Sequence, residues 1–282
     1  QFDDGKVPCC VDDRGSDPVP ENDSHGELIF NIAEYWRYTG DTAFLERMWP
    51  HVQGAYAYME QLRLSERTAA NRRLNRAFYG MMPASISHEG YSAKPMHSYW
   101  DNFWALRGYK DAVQVAEALG KHDEAKRMAA SRDQFHADLM ASLRAATEQH
   151  GIDYLPGAAE LGDFDPTSTT IALAPGGEQD RLPRDLLFNT FEQYWTRFVD
   201  RRDGTLEWKD YTPYEWRNVG AFVRLGWRER AKAAVDFFFA DRAPQAWNQW
   251  GEVVSRTPRK PFFLGDLPHA WVASDFVRSA LD

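Results

Sequence analysis

Apolar residues return at helical spacing through most of the chain, and the helices they predict come in pairs. In the first, Leu28, Ile29, Ile32, Tyr35 and Trp36 form a stripe that Gly40 ends. Asp41 or Thr42 can cap the next helix, which carries Phe44, Leu45, Met48, Trp49, Val52, Ala55, Tyr56 and Met59, with Pro50 inside the pattern. The two make a short-looped helical hairpin. A second hairpin has the same plan. One helix starts near Ser98 and stops at Gly120, and another follows an Asp123 cap with Ala125, Met128, Phe135, Leu139 and Leu143 on its stripe. Farther on, a short helix is expected at Thr170–Leu173 and a longer one over 184–201. Pro213, after Thr212, opens a first helical turn that leads into Trp216–Leu225. Gly226 then breaks the chain, Arg228–Ala240 returns, and Pro268 opens a last helix to Leu281. The pattern predicts eight or nine helices and an all-α protein. Strands are scarce, with room for short β pairs only in loops such as 152–158 and 204–208. Residues 1–24 read as an extended approach with turns at Asp13–Gly15 and Asp17–Pro20.

Between the first two hairpins, residues 64–97 form a connection too long to be idle. The rhythm of long loop, helix, tight turn and helix places the long loops of successive hairpins on one face, which is the natural functional side.

Composition narrows the class. The chain has 282 residues, enough for one large domain or two ordinary ones. With 43% hydrophobic and 27% charged residues it is neither a disordered chain nor a membrane bundle, and no apolar run approaches a spanning helix. Lys and Arg number 33 against 42 Asp and Glu, so a nucleic-acid-binding face is not expected. Only Arg63–Arg76 is locally basic, and it reads as a solvated face or loop. Cys9 and Cys10 are adjacent and make neither a disulfide framework nor a metal cluster. The compartment stays open: QFDDGKVPCC shows no signal peptide at the start, and a cleaved leader or a fragment would look the same. The aromatic content, 17 Phe, 12 Tyr and 11 Trp, is high. Large rings fill helix crossings, and a surplus also suits a cleft that stacks the weakly polar faces of sugar rings.

Two stretches carry candidate chemistry. In HSYWDNFWALRG, Asp101 stands between Trp100 and Asn102–Phe103 near a helix start. A carboxyl walled by rings is desolvated and keeps its proton, as a general acid must. The competing role is an ordinary helix cap or charge partner. In WNQWGEVV, Glu252 follows Trp247 and Trp250 in a long loop. A second carboxylate on the same rim can activate water while Asp101 donates a proton, the two-carboxylate logic of glycoside hydrolysis. Its competing role is a salt bridge to Arg256 or Arg259. Glu215 rivals Glu252 as base, and Asp23 and Asp165 are further alternatives. Glu21, His25, His88, Glu89, Asp163 and Asp266 are weaker ones. Trp100, Trp104, Tyr214, Trp216, Trp247 and Trp250 are expected to offer stacking surfaces, and His97, Asn102, Asn248 and His269 to read hydroxyls. No HExxH, calcium loop, nucleotide-binding glycine motif or GxSxG elbow occurs, so no metal and no cofactor is expected.

Several stretches point to a family. AEYWRYTGDTAFLERMWPHV and VAEALGKHDEAKRM look like its helical hairpins, and GDLPHAWVASDFVRSAL is similar to its last helix. The chain resembles the six-hairpin glycosidases: trehalase-like, processing α-glucosidase-like, debranching-type and rhamnosidase-like enzymes built on an (α/α)6 toroid. The resemblance implies a general acid at Trp100–Asp101, although Tyr99 stands where those relatives carry Gly. It implies a base at Glu252 in a late loop, and inversion at the anomeric carbon. Such a pair of carboxyl groups stands about 6.5–9.5 Å apart. It also implies one toroid domain over 1–282, incomplete at its start. A ring of twelve helices would have about three of them before Gln1, or supplied by another chain. The expected partner is a carbohydrate. Two alternatives remain: a carbohydrate-binding or scaffold module of the same fold, and a lyase, phosphorylase or epimerase on a similar ring, for which His88 and His97 are the available bases.

Overall fold

The structure, a computed structural model, describes residues 1–17, 19–88, 90–257, 265 and 267–282. The chain divides into two compact units, Gln1–Phe164 and Asp165–Asp282. Both are helical, and the helices pack as successive hairpins.

In the first unit, a two-residue hairpin of β1 (Val11–Asp12) and β2 (Gly15–Ser16) precedes α1 (Ser24–Thr39) and α2 (Thr42–Glu66). Then come α3 (Ala69–Leu74), α4 (Tyr99–Ala118) and α5 (His122–His150). Gly40, at a φ of 68°, ends α1 in the left-handed conformation that a side chain disfavours. Asp41 then caps α2 by accepting from the Phe44 N–H at 2.8 Å.

The pairing of side chains shows how the two hairpins stack. Trp100 reaches Asp23, while Arg37 reaches Asp111 and Gln114, at separations of 77, 74 and 77 positions. A near-constant offset means that the leading helices α1 and α4 run parallel. The same holds for the return helices α2 and α5, joined by Tyr56 to Ser131, Arg63 to Gln134 and Arg67 to Asp138, 75, 71 and 71 positions apart. The leading pair approaches closely. A Cβ on Gly26 would lie 2.2 Å from the Trp104 carbonyl oxygen, and one on Gly108 would lie 2.7 Å from the Gly26 Cα. Only glycine lets the two backbones pass there. Behind the crossing, Ile29, Ile32, Leu45, Met59, Leu106, Tyr109, Phe135 and Leu139 are buried.

The second unit repeats the plan with α6 (Pro166–Leu173), α7 (Arg184–Asp203), α8 (Arg217–Arg224), α9 (Arg228–Ala240) and α10 (Ala270–Leu281). β3 (Asp210–Tyr211) pairs antiparallel with β4 (Val254–Ser255), and a 3₁₀ turn, Pro213–Trp216, leads into α8. Helix α8 packs on α6, α9 and α10. Arg217 with Asp275 and Arg224 with Asp282 share a separation of 58 positions, so α8 and α10 are parallel. The Glu192–Arg230 ion pair and the Phe198–Phe237 contact set α7 parallel to α9.

Ten α-helices stand among the described residues, and the one beyond expectation is α3. It lies in the basic stretch expected to be solvated or looped, and it buries none of its residues, so no apolar stripe announces it. Thr68 starts it by accepting from the Asn71 N–H. The same stretch begins with Arg63, which is buried, not solvated: it holds Glu60 through Nε at 2.6 Å and Nη2 at 2.9 Å. Asp123 sits in the first turn of α5 and does not cap it; Lys121 holds the cap position without a side-chain bond. Within 204–208 no strand forms, while 152–158 contributes one bridge, Ala158 to Ser98.

Candidate active site

The N-terminal ends of the parallel helices α1 and α4 lie side by side, and both open on a buried carboxyl. The loops that cover these ends are the approach before α1 and the long connection before α4. Asn22 donates to the Pro83 carbonyl at 2.8 Å and Ile86 N–H to the Pro20 carbonyl at 3.1 Å, which ties the two loops together. The connection closes on itself through the Ser85–Met96 bridge.

Ser98, not Asp101, caps α4: its hydroxyl accepts from the Trp100 N–H at 3.2 Å. Asp101, in the first turn, is thereby released from the capping role. Its carboxylate is fully buried and accepts from the hydroxyls of Ser85 at 2.6 Å and Ser87 at 2.8 Å. Ser87 continues to Ser98 at 2.9 Å, and its N–H donates to the Ser85 oxygen at 2.7 Å. Burial, with the like charge of Asp23 added, raises the Asp101 pKa well above the usual carboxylate range.

Asp23 occupies the cap position of α1 and makes no capping bond. Its carboxylate instead accepts from the indole N–H of Trp100 at 2.6 Å, and Ser24 lies beside it at 3.3 Å. Burial raises its pKa too, while the Trp100 N–H and the charge of His88 act the other way. His88 stacks on Trp100 with ring centroids 4.9 Å apart, and Trp104 meets Trp100 edge-on at 6.1 Å. The Trp100 indole thus joins the two helix starts, with its N–H on Asp23 and its ring against His88 and Trp104. Next to them His25 is buried, stacked on Tyr58 at 4.9 Å, and burial holds its pKa down to about 4.

Other expected residues of this unit have structural partners. Asn102 donates to the Ser98 carbonyl at 2.6 Å and accepts from the Met82 N–H at 2.9 Å. His97 binds Glu160 through Nδ1 at 2.5 Å, stacks on Phe78 at 4.1 Å and has Glu66 3.8 Å away.

In the second unit the expected residues are dispersed by role. Glu215 accepts two bonds from the Arg201 guanidinium, at 2.8 and 2.6 Å, and one from the Tyr194 hydroxyl at 2.6 Å. Asp165 caps α6 by accepting from the Ser168 N–H at 3.0 Å. Trp216 and Trp250 meet at 5.0 Å among Phe238, Phe239 and Phe276, so their faces are spent on neighbouring rings. Tyr214 joins His269 at 2.5 Å and lies under the Arg217 guanidinium. Asn248 accepts from Arg242, and Trp247 is 57% exposed. Glu252 is half-buried, with Oε2 packed so closely on Gly265 that a Cβ there would lie 2.0 Å from it. Glu89, Arg259 and Asp266 lie outside the described residues.

Sequence reasoning passed over Ser85, Ser87 and Ser98. Ser85 and Ser87 look like turn residues of the connection, and nothing in their spacing says that they converge on a carboxylate sixteen and fourteen residues later, with Ser98 behind Ser87. The Trp100–Asp23 bond was equally out of reach, because it depends on which helices are neighbours. Among the described residues no group of three or more His, Cys, Asp or Glu side chains could hold a metal ion, and no helix is long and apolar enough to cross a membrane. No protein-family model matches the chain, and no curated protein matches its sequence.

Proposed function

We propose that this chain is a glycoside hydrolase of the (α/α)6-toroid kind, inverting and exo-acting, with Asp101 as the general acid. The observation that carries the reading is the Asp101 carboxyl itself: fully buried, walled by Trp100, beside a second buried acid, and bonded to neutral hydroxyls. Such a group holds its proton at neutral pH and can give it to a glycosidic oxygen as the C–O bond breaks. A base on the opposite face of the sugar must then take a proton from the attacking water. Glu252, in the second unit, is the residue the family resemblance assigns to that role. Glu215 is the weaker choice, because its lone pairs are engaged by Arg201 and Tyr194.

The test is cleavage of a panel of aryl glycosides and oligosaccharides by the parent, D101N and E252Q. The expected result is activity in the parent, loss in both variants, and product first formed with the inverted anomeric configuration. An active parent whose D101N variant keeps its rate would remove Asp101 from the chemistry.

A second reading is a carbohydrate-binding module without hydrolysis. It is favoured by the complete burial of Asp101 and the engagement of both its oxygens, which would make it a brace for the loop over 83–98. That reading predicts sugar binding by the parent, no turnover, and a lowered melting temperature in D101N.

A further inference from the structure

Asp23 and Asp101 are both buried and the charge of one acts on the other, yet their shortest hydrogen bonds differ in kind. Asp101 is bonded to the Ser85 and Ser87 hydroxyls, and Ser87 leads on to Ser98. As donors these serines lower the Asp101 pKa against burial and the charge of Asp23, but a hydroxyl can also turn to accept, so unlike an indole N–H they can serve a neutral carboxyl that carries its own O–H. Asp23 accepts at 2.6 Å from the indole N–H of Trp100, a group that only donates, and at a longer 3.3 Å from the Ser24 hydroxyl. Bonds of that kind favour the ionised carboxylate. We infer that Asp101 carries the proton and Asp23 the charge, and that Asp23 is a positioning residue which keeps Asp101 protonated.

The two carboxyls are coupled through the fold and not through sequence. Asp23 is placed by the start of α1, Asp101 by the first turn of α4, and Trp100 spans them. The charged groups acting on the pair are Glu21 from the approach, whose negative charge adds to that of Asp23 on Asp101, and His88 from the connection, whose charge favours ionised Asp23. Burial strengthens the interaction, because two like charges in a dry recess repel far more than in water. One of the two therefore stays neutral; burial raises the pKa of both, and it is their hydrogen-bond partners that divide the roles. This inference supplies the reason Asp101 can serve as the acid of the proposed hydrolase, and it rests on that reading only for its use, not for its observation.

The experiment follows the C=O stretch of protonated carboxyl groups by infrared difference spectroscopy through a pH titration of the whole chain. The parent, D101N, D23N, D23E and W100F are compared, with circular dichroism confirming the fold of each. The parent is expected to show a protonated-carboxyl band at neutral pH that D101N lacks. In D23N the midpoint of that band is expected to fall by about one pH unit or more, the signature of a strongly coupled pair. D23E should restore the midpoint toward that of the parent. Should D23N fail to fold, W100F removes the donor that holds the charge on Asp23, leaves both acids in place, and should also lower the midpoint. A band that survives in D101N, or a midpoint unmoved in both D23N and W100F, overturns the inference. Because the readout needs no turnover, a chain that cleaves no glycoside but shows these shifts refutes the hydrolase and keeps the proton assignment. A chain that cleaves glycosides without the shifts does the reverse.

Discussion

Asp101 and Glu215 occupy similar places in the two units, and the chain treats them in opposite ways. Each stands at the start of a helix that leads a hairpin, α4 in one case and α8 in the other, and each is buried. Glu215 is matched by a fixed cation, with Arg201 across both oxygens and the Tyr194 hydroxyl as a third donor. Asp275 is likewise matched by Arg217 at 2.8 Å. Asp101 has neutral serines and a second acid nearby. A buried carboxylate with a guanidinium across it is a structural group. Its charge is matched by a fixed cation of the fold. Burial without a cation opposite pushes Asp101 toward its protonated form, the direction that acid catalysis needs. The same helical plan therefore sets a fixed cation opposite one buried acid and neutral hydroxyls opposite the other.

The comparison breaks most visibly through D101N against E215Q. D101N should lower the rate on any cleaved glycoside by about 10²–10⁴-fold, the usual contribution of a general acid, while the chain still folds. Steady-state kinetics beside a thermal melt would show both. E215Q should do the opposite. Removing the charge opposite buried Arg201 costs about 3–5 kcal/mol, visible as an early urea midpoint, with activity per folded molecule retained. Equal losses of activity and stability in both variants would erase the distinction.

A smaller effect comes from His25, which is buried beside the acid pair. Its folded pKa is depressed to about 4 from an ordinary 6.5, so below pH 6.5 the unfolded chain takes up the proton that the folded chain refuses. Stability is then complete above pH 6.5 and is lost as pH falls toward 4, by up to about 3 kcal/mol. Urea unfolding at pH 7 and at pH 4.5 should show this loss, and H25F should flatten it. The smallest effect belongs to Trp247. With 57% of its surface exposed, W247A should change stability by less than about 0.5 kcal/mol. A rise in KM with kcat unchanged would mark it as a stacking surface.

Much of the helical plan was legible. The stripes of α1, α2, α4, α5, α7, α9 and α10, the Asp41 cap and the Thr212–Pro213 entry all follow from local rules. Helix α3 was not legible, because a helix that buries nothing leaves no period. The buried state of Arg63 was hidden for a related reason: charge counts do not reveal a partner one turn away on the same helix. The aromatic excess was readable as a count, but not as a location. Trp100 donates to Asp23 and packs on Trp104, whereas Trp216 and Trp250 fill a core.

The sequence by itself determined the hairpins, the Asp41 and Thr212 caps and the aromatic neighbours of Asp101, since each depends on residues within a few turns of one another. Only the tertiary structure decided that α1 runs beside α4, and with it that Asp23 meets Trp100, that Ser85 and Ser87 gather on Asp101, and that Glu215 is matched by Arg201. The reason is physical. Periodicity and capping are short-range and written in neighbouring positions. The ionisation of a buried acid depends on the dielectric around it and on charges brought close from distant parts of the chain.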